Sequence, residues 1–162
     1  TPQRDVPLGD PAMGGHASFA LGLALARPDK KIVLFDSEGD LLMNLGALVT
    51  IAEKRPTNFY HFLLDNECSA TPGGQPVPNA ENVDYALIAK GAGYPSTYAF
   101  NDLEDLTISC EGILAEPGPV FIAMKIVAEI ENKPIGQRRR WQTRNLDQVL
   151  QDLKAELRLP VA

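Results

Sequence analysis

The stretch from Asp36 to Cys68 leaves the chain few folds to choose from. An apolar, β-branched run over 31–35 reads as a buried parallel strand. It enters an acidic turn, Asp36-Ser37-Glu38-Gly39-Asp40. That turn opens a helical pattern over 40–54, with Leu41, Leu42, Leu45, Leu48, Val49 and Ile51 on one broad apolar face. A second apolar run over 58–64 ends on Asp65-Asn66-Glu67-Cys68. Strand, helix and strand at this spacing predict a right-handed βαβ unit with parallel strands. Both strands then bring their carboxyl ends to one sheet edge, where open α/β sheets bind ligands. A carboxylate at one end, an amide at the other and a helix N-terminus between them suit magnesium and a phosphate group.

The rest of the chain repeats the alternation. Residues 1–12 hold three prolines and little periodicity, which predicts an extended arm. Over 13–27, Ala, Gly and Leu dominate. Such small residues suit a helix packed close to a neighbour, and Pro28 ends it. The segment 67–81, with Gly73, Gly74 and Gln75, predicts a long loop of the kind that carries function. Helices are predicted over 82–92, capped near Asn82, and over 101–115, capped by Asn101. Strands are predicted over 97–100 and 119–126. The segment 132–145 contains Lys133, Arg138, Arg139, Arg140 and Arg144 and no acid. It reads as a solvated linker tying down a last helix over 146–157, or as an anion or subunit contact. The order predicts an α/β domain over 13–127 followed by a basic linker and C-terminal helix over 128–162. Its expected architecture is a three-layer sandwich, a mainly parallel sheet with helices on both faces.

At 162 residues the chain can bury one real core. The net charge of −6 argues against general nucleic-acid binding and against an anionic membrane surface. The apolar runs are too short to span a bilayer, and no signal-peptide pattern opens the sequence. Cys68 and Cys110 do not make a disulfide framework. A cytoplasmic protein is therefore expected, in which Cys68 could serve as a redox or nucleophilic thiol.

Three segments carry a family resemblance. Ser37-Glu38-Gly39, residues 40–64 and Asp65-Asn66 resemble the diphosphate-binding motif of thiamine diphosphate-dependent enzymes, which runs Gly-Asp-Gly, a spacer and Asn-Asn. PAMGGHASFALGLALARPDKK looks like that family's GSMG segment and the helix after it. LLMNLGALVTIA and TPGGQP resemble the sulfopyruvate and phosphonopyruvate decarboxylase β-subunit branch. The resemblance covers residues 9 to 127 and implies the diphosphate-binding, C-terminal domain of such enzymes.

The resemblance implies a site residue by residue. Glu38, Asn66 and the main-chain carbonyl of Cys68 would bind Mg²⁺. Gly39, Asp40 and Asn66 would lie at the diphosphate. Pro11 C=O and Met13 N–H would bond the pyrimidine edge, with Gly14 beside them and the Met13 side chain supporting the bent cofactor. His16 follows that turn and either makes local hydrogen bonds or touches substrate, while His61 reads as a core or interface residue. The motif also departs from the family: Ser37 replaces Gly, Glu38 replaces Asp, Asp40 replaces a small residue, Asp65 replaces Asn and Glu67 replaces Gly. A carboxylate at position 40 would repel a diphosphate by about 1 kcal/mol in water and about 4 kcal/mol at an effective dielectric of 20. Asp40 is expected to cap the helix, to occupy the anion's place, or to join Glu38 around the metal.

The implied function is the diphosphate-binding subunit of a two-subunit thiamine diphosphate-dependent 2-oxoacid decarboxylase, a carbon–carbon lyase that is inactive alone. The Glu that pairs with N1′ of the cofactor would come from a partner chain with a pyrimidine-binding domain. A homo-oligomer is the other expected assembly. The domain's usual first strand is not seen ahead of residue 9, so a subunit or a fragment is expected. The alternative is a non-catalytic relative with a degenerate cofactor site.

Overall fold

A computed structural model describes residues 2–8, 13–70, 73–131, 133–134, 137 and 144–157. Two compact units are present, Met13–Ile130 and the pair of segments Thr1–Ala12 with Glu131–Ala162.

In the larger unit α1 (His16–Ala26) buries Ala17, Ala20, Leu21 and Ala24. Its predicted first turn is lost: Met13 and Gly14 form a separate turn, with Gly14 at φ 75°. Asn58 ties down the other end, its amide donating to the carbonyls of Ala24, Arg27 and Lys30 at 3.1, 2.9 and 2.7 Å. β1 (Ile32–Ser37) pairs in parallel with β2 (Phe59–Asp65), in a register running from Ile32 opposite Phe59 to Ser37 opposite Leu64. β1 runs two residues past its apolar stretch because Asp36 is buried against His61.

The predicted helix over 40–54 is two helices. α2 (Glu38–Met43) is capped by Ser37, whose Oγ accepts the Asp40 N–H at 3.2 Å. α3 (Gly46–Lys54) follows after a break at Asn44, which lies at φ −149° and ψ 60°. The Asn44 side chain donates instead to Gly14 C=O at 3.1 Å. The predicted loop over 67–81 contains a small hairpin, β3 (Cys68–Ser69) against β4 (Gln75–Pro76). α4 (Tyr85–Ala92) is capped by Asp84 rather than near Asn82. β5 (Ser96–Phe100) leads to α5 (Leu103–Ala115), capped by Asp102 rather than Asn101. β6 (Val120–Lys125) closes the sheet.

The four main strands are parallel in the order β1-β2-β6-β5. The expected α/β architecture holds, with unequal layers. α1, α3 and α4 pack with Leu34, Phe59, Leu63 and Phe121 in the larger core. On the opposite face α5 supplies Ile113 against Tyr60, Phe62, Val120 and Ile122. α5 does not reach β1, where Phe35 is 63% exposed beside Phe62.

In the smaller unit Pro2–Arg4 form a short 3-10 turn within the predicted arm. Arg4 pairs with Glu156 of α6 (Leu146–Leu157) at 2.9 Å. Arg144 bonds Asp152 at 2.6 Å and Asp5 C=O at 2.8 Å. Arg144 thus ties the last helix down, as one of the two readings of the basic segment expected. Arg138, Arg139 and Arg140 lie outside the described residues.

Candidate functional site

The carboxyl ends of β1 and β2 bring two acidic groups together, and their environments differ. Glu38 is the first residue of α2 and is 0% exposed. Neither of its carboxylate oxygens has a hydrogen-bond partner among the described residues. Burial pushes the Glu38 carboxyl up. The amides of Glu38, Asn66 and Cys68 pull it down without reaching bonding geometry, and the Asp65 charge raises it further. A buried carboxylate with no partner is costly, and such groups normally pair or coordinate a metal.

The facing turn is built by local bonds. Asn66 Oδ1 accepts the Cys68 N–H at 3.0 Å, and Asp65 Oδ1 accepts the Glu67 N–H at 3.2 Å. Lys125, at the end of β6, holds Asp65 at 2.9 Å and Glu67 at 2.6 Å. Glu67 sits at φ 64°, a left-handed conformation that favours glycine. The hairpin folds over the acidic turn: a Cβ on Gly39 would lie 3.3 Å from Ser69 Oγ. Tyr85, which opens α4, has a buried hydroxyl with no hydrogen-bond partner among the described residues. Burial, then the charges of Asp65 and Glu38, push that hydroxyl up to about 12, against the opposing Lys125.

Asp40, two residues from Glu38, has its bonds filled. Its Oδ1 accepts the Gly14 N–H at 2.5 Å, and its Oδ2 lies 3.0 Å from His16 Nδ1. Burial raises the Asp40 carboxyl and the Gly14 amide lowers it, with the Asp36 charge raising it and His16 lowering it. Asp36 lies 3.6 Å from His16 Nδ1 and 3.1 Å from His61 Nε2. Tyr94 Oη is 3.5 Å from His61 Nδ1. Asp36 can only accept, so the hydrogen that His61 shares with it sits on Nε2. Ligand atoms of His16, Asp36 and Asp40 all lie within 4.8 Å of one another. A cation there would have to displace hydrogen bonds already made, whereas at Glu38 it would supply a missing partner. Of the two sites, Glu38 fits a divalent cation.

The predicted site residues are thus partly assembled. Glu38, Gly39 and the Asn66–Cys68 turn come together, and Asp40 lies against Gly14. Asp40 does not supply the helix cap, since Ser37 does. Met13 is 53% exposed on its turn, and Pro11 lies outside the described residues. His16 lies within ion-pair distance of Asp36 and Asp40, distant in sequence, and His61 is a core residue at 0% exposure. Gly73 and Gly74 both take positive φ. The sequence reading missed Asp36, Tyr85 and Lys125. An acid ending an apolar strand and a basic residue ending β6 at the same edge were the available signals for two of them. Tyr85 gave none, because its ring is spaced like any core aromatic.

Residues 7–124 match the family model described as the thiamine pyrophosphate enzyme C-terminal TPP binding domain. Phosphonopyruvate decarboxylase of Streptomyces hygroscopicus is 39% identical over 115 residues, 71% of this chain and 28% of that protein. Sulfopyruvate decarboxylase subunit beta of Methanothermobacter thermautotrophicus is 40% identical over 110 residues, 68% of this chain and 56% of that one. The matches therefore span between about a quarter and about half of these relatives. In fold, a putative thiamin diphosphate-dependent enzyme from Mycobacterium smegmatis superposes with a TM-score of 0.60 at 20% identity, over 72% of this chain and 22% of that one. With a match over that much of its length, the chain belongs to the thiamine pyrophosphate enzymes and carries their C-terminal TPP-binding domain.

Proposed function

We propose that the chain forms the diphosphate-binding part of a thiamine diphosphate- and Mg²⁺-dependent decarboxylase acting on a small 2-oxoacid of the sulfopyruvate or phosphonopyruvate type. The observation that carries this reading is the Glu38 carboxylate, buried and without a partner at the carboxyl edge of the sheet beside the Asn66–Cys68 turn. Glu38, the Asn66 amide and the Cys68 carbonyl are the groups that would hold Mg²⁺, which favours oxygen ligands. Lys125 fixes the turn that carries Asn66 by holding the carboxylates on either side of it. Met13, exposed on its turn, is placed to support a bound ring. Bound thiamine diphosphate supplies the electron sink for loss of CO₂ from the 2-oxoacid. The Glu for N1′ comes from a partner with a pyrimidine-binding domain, so the chain alone is inactive. Leu25 of α1 and Val49 of α3 are exposed apolar residues suited to such a partner or to a second copy. The setting is the cytoplasm.

A second reading, a relative whose cofactor site is degenerate, is favoured by Asp40 and Ser37. The Asp40 carboxylate takes the Gly14 N–H and His16, and Ser37 Oγ takes the Asp40 N–H, donors that an incoming anion would use. Calorimetric titration with thiamine diphosphate and Mg²⁺, with and without a pyrimidine-domain partner, separates the two. Mg²⁺-dependent binding is expected. No heat under either condition sinks the decarboxylase reading and leaves the degenerate one.

A further inference from the structure

Among the described residues, four buried side-chain atoms lack a hydrogen-bond partner. One is His16 Nε2, on the Asp40 side of the edge, and the other three are the two Glu38 carboxylate oxygens and the Tyr85 hydroxyl. Tyr85 is 2% exposed and belongs to the same buried core as Leu41 of α2 and Leu63 of β2. Its hydroxyl feels the Asp65 and Glu38 charges and, in the opposite sense, Lys125. A tyrosine hydroxyl that is buried normally finds a partner. The absence of one in both groups points to something that bridges them.

We infer that Tyr85 is a positioning residue of the cation site, its hydroxyl donating a hydrogen bond into the oxygen shell of the divalent cation that Glu38 holds. The inference rests on the reading that Glu38 binds such a cation. Magnesium keeps several waters when bound by one or two protein groups. A donor on α4 gives that shell an anchor from the facing element. Outer-shell donors of this kind orient ligands, and their loss typically weakens metal binding by about 10–100-fold.

The test uses Mn²⁺ as probe on the full chain in the presence of thiamine diphosphate, with free Mn²⁺ read by electron paramagnetic resonance. Wild type, Tyr85→Phe and Glu38→Gln are titrated side by side. Glu38→Gln should abolish the tight Mn²⁺ signal. Tyr85→Phe should weaken Mn²⁺ binding by about tenfold. The metal-free melting temperature of Tyr85→Phe should stay level or rise, since the hydroxyl makes no bond to lose. A merely structural hydroxyl would give the reverse, a lower melting temperature with unchanged Mn²⁺ affinity. Equal Mn²⁺ affinity in wild type and Tyr85→Phe overturns the inference while leaving the Glu38 site standing. No Mn²⁺ binding by wild type, or binding that survives Glu38→Gln, overturns both the site and the role of Tyr85.

Discussion

Glu38 and Asp40 are two residues apart, both acidic and both buried, yet among the described residues the Glu38 carboxylate has no hydrogen-bond partner while that of Asp40 meets Gly14 and His16. The side of the edge around Asp40 is closed except at His16 Nε2, which has no hydrogen-bond partner among the described residues. A chain of contacts runs from the Gly14 amide through Asp40, His16, Asp36 and His61 to Tyr94. The side around Glu38 is open, with a carboxylate and a tyrosine hydroxyl that have no hydrogen-bond partner among the described residues. A filled polar network reports a structural role, and an unfilled one reports a ligand. The closed side should therefore lose stability when a member is removed, and the open side should gain it.

The largest effect is expected at Asp36. It is 2% exposed and serves both histidines, so Asp36→Ala leaves the His61 Nε2 hydrogen buried with nothing to receive it. Loss of one partner from such a buried pair should cost about 3 kcal/mol, read from urea denaturation. A cost below about 1 kcal/mol would mean that water already serves this network, and the contrast with Glu38 would be lost.

Asp40→Ser comes next. The change removes the acceptor for the Gly14 N–H and the partner of His16, at an expected stability cost of about 1–2 kcal/mol. Combined with Glu38→Asp, it also removes a charge next to the place of a diphosphate. That part should tighten thiamine diphosphate binding by about tenfold to several hundredfold, from about 1–4 kcal/mol of relieved repulsion. If the double variant binds worse than wild type in parallel calorimetric titrations, Asp40 is a working member of the cofactor site and not a plug in it.

How much of this contrast was legible in the sequence depends on the range of the contact that decides it. β1, β2 and their shared edge followed from apolar runs, because burial of a parallel strand writes itself into consecutive residues. The acids at the edge were legible as residue types. Their partners were not, since Gly14 is 26 positions from Asp40 and His61 is 25 positions from Asp36. The split of α2 from α3 was hidden for the same reason: Asn44 leaves the helix to meet Gly14, and nothing local requires it. The hairpin of two-residue strands is too short for any alternation to show. Ser37 was legible as a cap in principle, but the family pattern drew attention to it as a missing glycine.

A smaller effect, of opposite sign, is expected at Glu38. In the metal-free protein Glu38→Gln replaces a buried charge by a neutral group of the same shape. It should raise stability by about 1 kcal/mol in EDTA, because an amide costs less than a carboxylate to bury. A loss of stability would show that the carboxylate is satisfied in solution, and the two sides of the edge would then be alike.

The finest test of the contrast is its pH dependence. Burial holds the folded-state value of Glu38 above its ordinary 4.5, so the folded chain takes up this proton at a higher pH than the unfolded chain does. Near neutrality the folded state therefore carries an unfavourable charge. As pH falls through the raised value towards the ordinary one, the folded state gains stability relative to the unfolded state. Asp40 is raised as well, so Glu38→Gln removes only part of this gain. Asp29, lowered to about 2 by Arg27, acts in the opposite sense, but only below its ordinary 3.8 and so outside this window. The urea midpoint of the metal-free wild type should rise, as pH is lowered from neutrality towards the ordinary 4.5, more than that of Glu38→Gln, and the two should converge at the acid end. With Mg²⁺ present the order should reverse, because the cation requires the ionised carboxylate and competes with the proton. Parallel pH curves for the two proteins without metal would place the Glu38 proton on the same footing in the folded and unfolded chains, and the open side of the edge would not be open.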